Sequence, residues 1–311
     1  MDRLKLLIDT DPGVDDALAI LMAHAYADVL ALNIAAGNVG LGHTVQNALK
    51  LVETIGARTP VFAGCAAPLI AGADDAAFVH GADGFGDTGY TPSACRAADE
   101  HAVQALLRLS HAHAGRLVLV AIAPLTNLAL ALTLDPSLPQ RVARLVIMGG
   151  AVTGRGNTHR VPAEFNIGFD PEAAHVVFST WPHFTLVDWE ATMRHGIAFE
   201  TMERWLTVDD PRARFYAAIS RKTREWTRMR GRPRLMVADA LAMAVALHPD
   251  IVVDAQDHHV AIELSGALTR GATVVDWEDR FGKPANARIV LTVDHARFET
   301  LVAAALGTAV G

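Results

Sequence analysis

The segment Leu6-Leu7-Ile8-Asp9-Thr10-Asp11-Pro12-Gly13-Val14-Asp15-Asp16-Ala17 places four carboxylates within eight residues, directly after an apolar run. Pro12 and Gly13 set a tight turn that folds Asp15 and Asp16 back toward Asp11. Carboxylates crowded in this way repel one another by several kcal/mol, on the order of a whole stabilising interaction each, unless a cation neutralises them. Oxygen donors suit a hard divalent ion, and the absence of His and Cys from the loop argues against zinc. An EF-hand does not fit, because counting from Asp9 the twelfth position is Ile20, where a bidentate Glu belongs. A solvated turn with Asp15 or Asp16 capping a helix accounts for one acid and leaves the others unexplained.

Such a loop needs a rigid strand before it and a helix after it. The apolar run Leu4–Ile8 reads as a buried strand and Asp15–Ala27 as a helix. Strands are predicted at Val29–Ala36, Val61–Ala63, Leu117–Ile122, Arg144–Met148 and Phe184–Val187. Helices are predicted at Thr44–Ile55, Glu100–Ala114, Leu125–Leu134 and Pro171–Ser179. This alternation predicts an α/β fold: an open, mostly parallel sheet with helices on both faces, whose strand carboxyl ends receive ligands. From Phe199 to about His248 helical segments dominate and form insertions near the site, including the basic stretch Arg221–Arg234. That stretch reads as a solvated helix face, with a lid as the lesser option. Strands at His259–Leu264, Ala272–Val275 and Arg288–Val293 and a last helix complete the pattern. No repeat or linker divides the chain, so residues 1–311 are expected to form one domain.

Composition sets the outer bounds. With 51% hydrophobic and 20% charged residues, the 311-residue chain can bury a large core. A net charge of −7 argues against a nucleic-acid partner. Cys65 and Cys95 lack metal-ligand spacing and read as free thiols of a reducing compartment. The start offers no signal sequence, and no apolar run reaches the roughly 18 residues of a membrane span. A cytoplasmic protein without membrane contact is expected.

The opening Asp9-Thr10-Asp11-Pro12-Gly13-Val14-Asp15-Asp16-Ala17 resembles the first motif of the nucleoside hydrolase family, DxDPGxDDA after a strand. Further matches follow in the family's order over nearly the whole chain. They are Ala36-Gly37-Asn38-Val39, His80-Gly81-Ala82-Asp83-Gly84, Pro124-Leu125-Thr126-Asn127, Met148-Gly149-Gly150 and Ala163-Glu164-Phe165-Asn166. Asp170-Pro171-Glu172-Ala173-Ala174, Asp239-Ala240 and Gly282-Lys283-Pro284-Ala285-Asn286 complete the set. Each piece is weak alone; the ordered set is specific.

The resemblance implies a Ca²⁺-dependent N-ribohydrolase acting on purine or pyrimidine ribonucleosides. By similarity, Asp11, Asp16, the carbonyl of Ile122 and Asp239 hold the ion, and Asp11 is general base toward a water on it. Asp15, Asn38 and Asn166 resemble the residues that grip the ribose 2′ and 3′ hydroxyls, and Asn157 and Glu164 those at the 5′ hydroxyl. Phe165 lies beside the ribose site. The resemblance also implies a homodimer or homotetramer. Three departures stand out. Ala238 occupies the position where many members carry a histidine thought to protonate the leaving base, which leaves His80 as candidate acid or base contact. Ala123 stands where Gly is usual, and the loop from Gly154 to Glu164 is one residue longer than the common spacing. Trp226 is a conceivable partner for stacking on the base.

Two other readings are carried forward. One is a calcium-dependent nucleoside or ribose binder that lost turnover with Ala238. The other is a haloacid-dehalogenase-like phosphotransferase with Asp9 as nucleophile, suggested by Asp9-Thr10-Asp11 after a strand.

Overall fold

The computed structural model describes residues 3–72 and 74–308. Met1 and Asp2, at the head of the segment searched for a signal, lie outside these, as do the last three positions of the expected domain. The strands are β1 (Lys5–Thr10), β2 (Asp28–Ile34), β3 (Val61–Ala63), β4 (Leu117–Ala121), β5 (Val142–Met148) and β6 (Phe184–Val187). They continue with β7 (Ile197–Ala198), β8 (Arg234–Leu235), β9 (Val252–Ile262), β10 (Thr273–Asp276) and β11 (Ala287–Val293).

Among the described residues, nine strands form one sheet in the order β10-β9-β11-β6-β5-β4-β1-β2-β3. From β3 across to β6 every pairing is parallel, and β11 continues parallel to β6. Within this sheet only the two pairings at the far edge, β11 with β9 and β9 with β10, are antiparallel, so β9 alone runs against the rest. The expected α/β architecture is therefore the one observed. Alternation along the central strands divides the core. Leu6 and Ile8 of β1 face one apolar layer with Val118 and Val120 of β4, while Leu7, Leu117 and Leu119 face the other. Helices Val14–Tyr26, Leu41–Ile55 and Ala238–Leu247 cover the first face. Helices Ala102–Ala112, Thr126–Leu134 and Pro171–Thr180 cover the second.

Two features of this frame position the site. Chain order reverses between β1 and β4, and at such a switch point the loops leaving the two strands diverge and open a crevice. Helices Val14–Tyr26 and Ala238–Leu247 pack against each other, both buried for most of their circumference and rich in alanine, with Ala17, Ala19 and Ala23 in the first and Ala240, Ala242, Ala244 and Ala246 in the second. Small side chains allow close approach, which brings the two helix N-termini, and their aspartates, to one point.

Differences from the sequence reading have local causes. Strand β1 runs on to Thr10, so Asp9 lies within the sheet opposite Asn33 and Ala121. Strand β9 begins at Val252, seven residues before the expected His259, because antiparallel backbone pairing with β11 carries its polar, partly exposed first half. Helices Ala77–His80, Phe165–Phe169 and Trp189–Arg194 are too short to show periodicity and were not predicted. The basic stretch divides: helix Pro211–Met229 turns Thr223, Trp226 and Thr227 toward the crevice, while Arg228 pairs with Glu203 and Lys222 with Asp87 on its outer side.

Candidate active site

Strand β1 ends at Thr10, the turn passes through Pro12 and Gly13, and the helix starts at Val14. The Asp16 side chain turns back over this junction and accepts four hydrogen bonds. Its donors are Thr10 Oγ1 at 2.6 Å, Gly13 N at 3.0 Å, Asn38 Nδ2 at 3.0 Å and Asp11 N at 3.2 Å. Asp16 is the reason this turn has one shape. Asp11 Oδ2 accepts from the Asn38 backbone N–H at 2.7 Å, whereas Asp11 Oδ1 is buried without a partner. Oxygens of Asp15, Asp16 and Asp239 lie within 4.8 Å of one another.

Burial is the largest influence on all of these acids and pushes the carboxyls of Asp11, Asp15, Asp16 and Asp239 upward. The neighbouring negative charges push the Asp11, Asp16 and Asp239 carboxyls in the same direction. Two converging helix N-termini offset part of that cost through their partial positive charge. The remainder calls for a cation. An all-oxygen donor set and an orphaned carboxylate oxygen on Asp11 fit a hard divalent ion.

The crevice at the switch point holds roughly 970 Å³, mouth included. Asp15, Asn38, His80, Ile122, Asn157, Glu164, Phe165, Asn166 and Asp239 all line it. Asp11 and Asp16 lie beneath its floor, 1% and 0% exposed. The structure thus brings the sequence-selected residues to one place. Their grouping has one surprise: Asp15, expected at the ribose, shares the acid triad with Asp16 and Asp239, and Asp11 stands beside it.

Several of these side chains are held by the protein itself. Asn38 Nδ2 donates to Asp11 O at 3.1 Å as well as to Asp16, so Asn38 also fastens the loop. Asn166 Nδ2 donates to the carbonyls of Ile122 and Met148, each at 3.2 Å, tying β4 to β5 at the crevice rim. Glu164 caps the helix Phe165–Phe169 and accepts from Gly150 N at 3.0 Å, Asn166 N at 3.0 Å and Ile167 N at 3.1 Å. Those donors favour its charged form, but complete burial prevails and lifts the carboxyl to about 7. His80 Nδ1 accepts from the Val14 backbone N–H at 3.1 Å, which leaves the ring proton on Nε2. Burial outweighs the attraction of Asp16 and lowers this imidazole's pKa. His80 is therefore a neutral N–H donor, better suited to contact a base than to deliver a proton as imidazolium.

Five further residues matter that sequence reading gave no role. Thr10 and Asn127 sit inside matched motifs: Thr10 holds Asp16, and Asn127 Nδ2 donates to Asp9 Oδ2 at 3.1 Å. Gly37 leaves room for Asp11, since a Cβ there would stand 2.1 Å from Asp11 Oδ2. Tyr216 and Arg232 reach the crevice from the helical insertion, where no short motif marks them.

A parallel α/β sheet with buried carboxylates under a crevice at its switch point defines a class of protein that uses a metal ion on a small polar substrate. Residues 6–300 match the family model described as inosine-uridine preferring nucleoside hydrolase. The chain is 37% identical to the non-specific ribonucleoside hydrolase RihC of Klebsiella pneumoniae, over 99% of both chains. It is 35% identical to the inosine-uridine preferring nucleoside hydrolase of Leishmania major, over 97% of both. A solved structure of an inosine-guanosine nucleoside hydrolase superposes with a TM-score of 0.92 at 31% identity, covering 99% of this chain and 100% of that one. The chain belongs to the nucleoside hydrolase family, a metal-dependent family, and carries an aspartate group able to hold a metal. Among the described residues no helix is long and apolar enough to cross a membrane.

Proposed function

We propose that this chain hydrolyses the N-glycosidic bond of ribonucleosides to ribose and free base, with Ca²⁺ as its ion. The observation that carries the reading is the group of Asp15, Asp16 and Asp239 within 4.8 Å, beside a buried Asp11 oxygen that lacks any partner. Asp11, Asp16, Asp239 and the Ile122 carbonyl are the residues that would hold the ion, which takes about six to eight oxygens including those of water and ribose. When bound, Ca²⁺ acidifies and fixes the attacking water.

Asp11, which accepts the Asn38 backbone N–H through one oxygen and keeps the other free, accepts the proton of that water. As the C1′–O bond forms and the C1′–N bond breaks, the electron pair leaves with the base. Positive charge developing on the ribose is stabilised by the anionic floor. Asp15, Asn38 and Asn166 hold the 2′ and 3′ hydroxyls; Asn157 and Glu164 hold the 5′ hydroxyl. We further propose that residues 1–311 form a single domain, in keeping with a family model that spans residues 6–300, and that it works in the cytoplasm as a homodimer or homotetramer.

Assay of reducing sugar with a panel of ribosides tests the reading: ribose release is expected, and none from any riboside at saturating calcium would defeat it. The binder reading is less favoured, because every acid proposed for the ion and for proton transfer from water is present in the sequence. The phosphotransferase reading is less favoured because Asp9 lies within the sheet, opposite Asn33 and Ala121, where Asn127 holds its side chain, and outside the group formed by Asp15, Asp16 and Asp239.

A further inference from the structure

The part of the crevice that receives the leaving base differs in kind from the ribose floor. Ala238 supplies no donor there, and His80 is a neutral N–H group. The wall is aromatic: Phe78 and Trp226 lie with ring centroids 6.0 Å apart, and Trp189 faces the same space. Arg232 also lines it, with its guanidinium 5.6 Å from the Trp189 ring centroid. Unlike Arg228, which pairs with Glu203, Arg232 has no carboxylate partner among the described residues. It is half-buried and so partly stripped of water, an arrangement that favours a ligand able to complete its hydrogen bonds.

We infer that Arg232 is the specificity-determining residue for the base and that the preferred substrates are 6-oxopurine ribosides, inosine and guanosine. This rests on the hydrolase reading above and names its substrate class. A guanidinium presents a planar fork of N–H donors and no acceptor, which matches the O6 and N7 acceptors on one edge of a 6-oxopurine. Adenine offers an amino group at the corresponding position, so donor would meet donor. Pyrimidines carry no N7 and fill less of an aromatic wall.

The same contact serves the reaction. When C1′–N9 breaks, the electron pair passes into the purine and spreads to N7 and O6, where the fixed positive charge of Arg232 stabilises it. Arginine keeps its proton throughout. The proton that Asp11 takes from water returns through solvent to the departed base, so riboside plus water gives ribose plus base. A cation that needs no titration replaces the acid that Ala238 cannot be.

The test compares kcat/KM for inosine, guanosine, adenosine, uridine and para-nitrophenyl riboside, in the intact protein and in Arg232→Gln and Arg232→Lys. The nitrophenyl group leaves without assistance and reports on the ribose and ion machinery. Inosine and guanosine are expected to exceed adenosine by about 10- to 100-fold, the worth of one bidentate contact. Arg232→Gln should lower the ratio of inosine to nitrophenyl riboside by a similar factor, and Arg232→Lys, which keeps charge but loses the fork, should recover only part of it. Equal rates on adenosine and inosine in the intact protein would overturn the inference without any variant, as would an unchanged ratio in a folded Arg232→Gln. Failure of the intact protein to cleave even para-nitrophenyl riboside would strike the hydrolase reading itself, and this inference with it.

Discussion

Replacing Gly37 by alanine probes how tightly the proposed base is seated. The added Cβ would stand 2.1 Å from Asp11 Oδ2 and 2.8 Å from Asp11 Cγ, and Pro124 Cδ at 2.9 Å prevents retreat on the other side. A carbon and an oxygen rest in contact at roughly 3.2 Å or more, so the carboxylate must move by about 1 Å. That movement breaks the 2.7 Å bond from Asn38 N, a charged hydrogen bond worth about 1.5–3 kcal/mol. A misplacement of this size in a reacting group costs about 10²-fold in rate. We expect kcat for ribose release at saturating calcium to fall by about 100-fold, with circular dichroism unchanged. Gly40→Ala is the control, because a Cβ there meets nothing within 4 Å and its backbone is already extended. A folded Gly37→Ala protein with kcat within about threefold of the parent, against that 10²-fold expectation, would refute the seating of Asp11 as base.

Three other outcomes follow from the same geometry. Asp16→Asn puts an amide nitrogen against two of the four donors that now bond to Asp16, so calorimetry should show calcium affinity weakened by about 100-fold or more, with loss of most of the roughly 2.7 kcal/mol by which calcium at a hundred times its Kd stabilises the parent. Uridine should be preferred over 2′-deoxyuridine in kcat/KM by about 10²-fold or more, since removing the hydroxyl leaves buried polar groups unpaired; comparable values would contradict the ribose contacts. Burial lifts the Asp9 carboxyl from 3.8 to about 7, against the opposing bond from Asn127. Its stabilising contribution is therefore complete below the unfolded value and is lost as pH rises through about 7, a change of roughly 4 kcal/mol. Urea unfolding from pH 4 to 8 should show a steeper decline in the parent than in Asp9→Asn, and parallel curves would deny Asp9 that role.

Much of this site is legible in one line of residues because its chemistry is concentrated there. Asp11, Asp15 and Asp16 occupy a single turn, and the Pro12-Gly13 pair announces the fold-back that Asp16 then locks with four hydrogen bonds. The sheet is equally readable, since parallel strands such as Leu117–Ala121 are buried on both faces and appear as unbroken apolar runs. What escapes notice is set by long-range packing. Gly37 matters only because the Asp11 side chain lies against it, and nothing in the residue itself says so. Arg232 reads as one more charge in a basic stretch until its neighbours are known, for Arg228 finds Glu203 whereas Arg232 finds the Trp189 ring and, among the described residues, no carboxylate. The proton-transfer role open to His80 depends on its tautomer, which the Val14 N–H, 66 positions away in sequence, determines by a direct hydrogen bond.

The contact between the alanine-rich helices Val14–Tyr26 and Ala238–Leu247 has a consequence for how the protein comes into being. Asp16 and Asp239 stand 223 positions apart (239 − 16), yet neither half of the chain presents a complete cage alone. A polypeptide still emerging from the ribosome therefore has nothing with which to capture the metal until its last third has docked. Closure of so long a loop must come first, at an entropic cost that grows only slowly with its length. With calcium as the proposed ion, loading would act as a latch on the finished molecule, and the rate of uptake during refolding would time the arrival of the second helix.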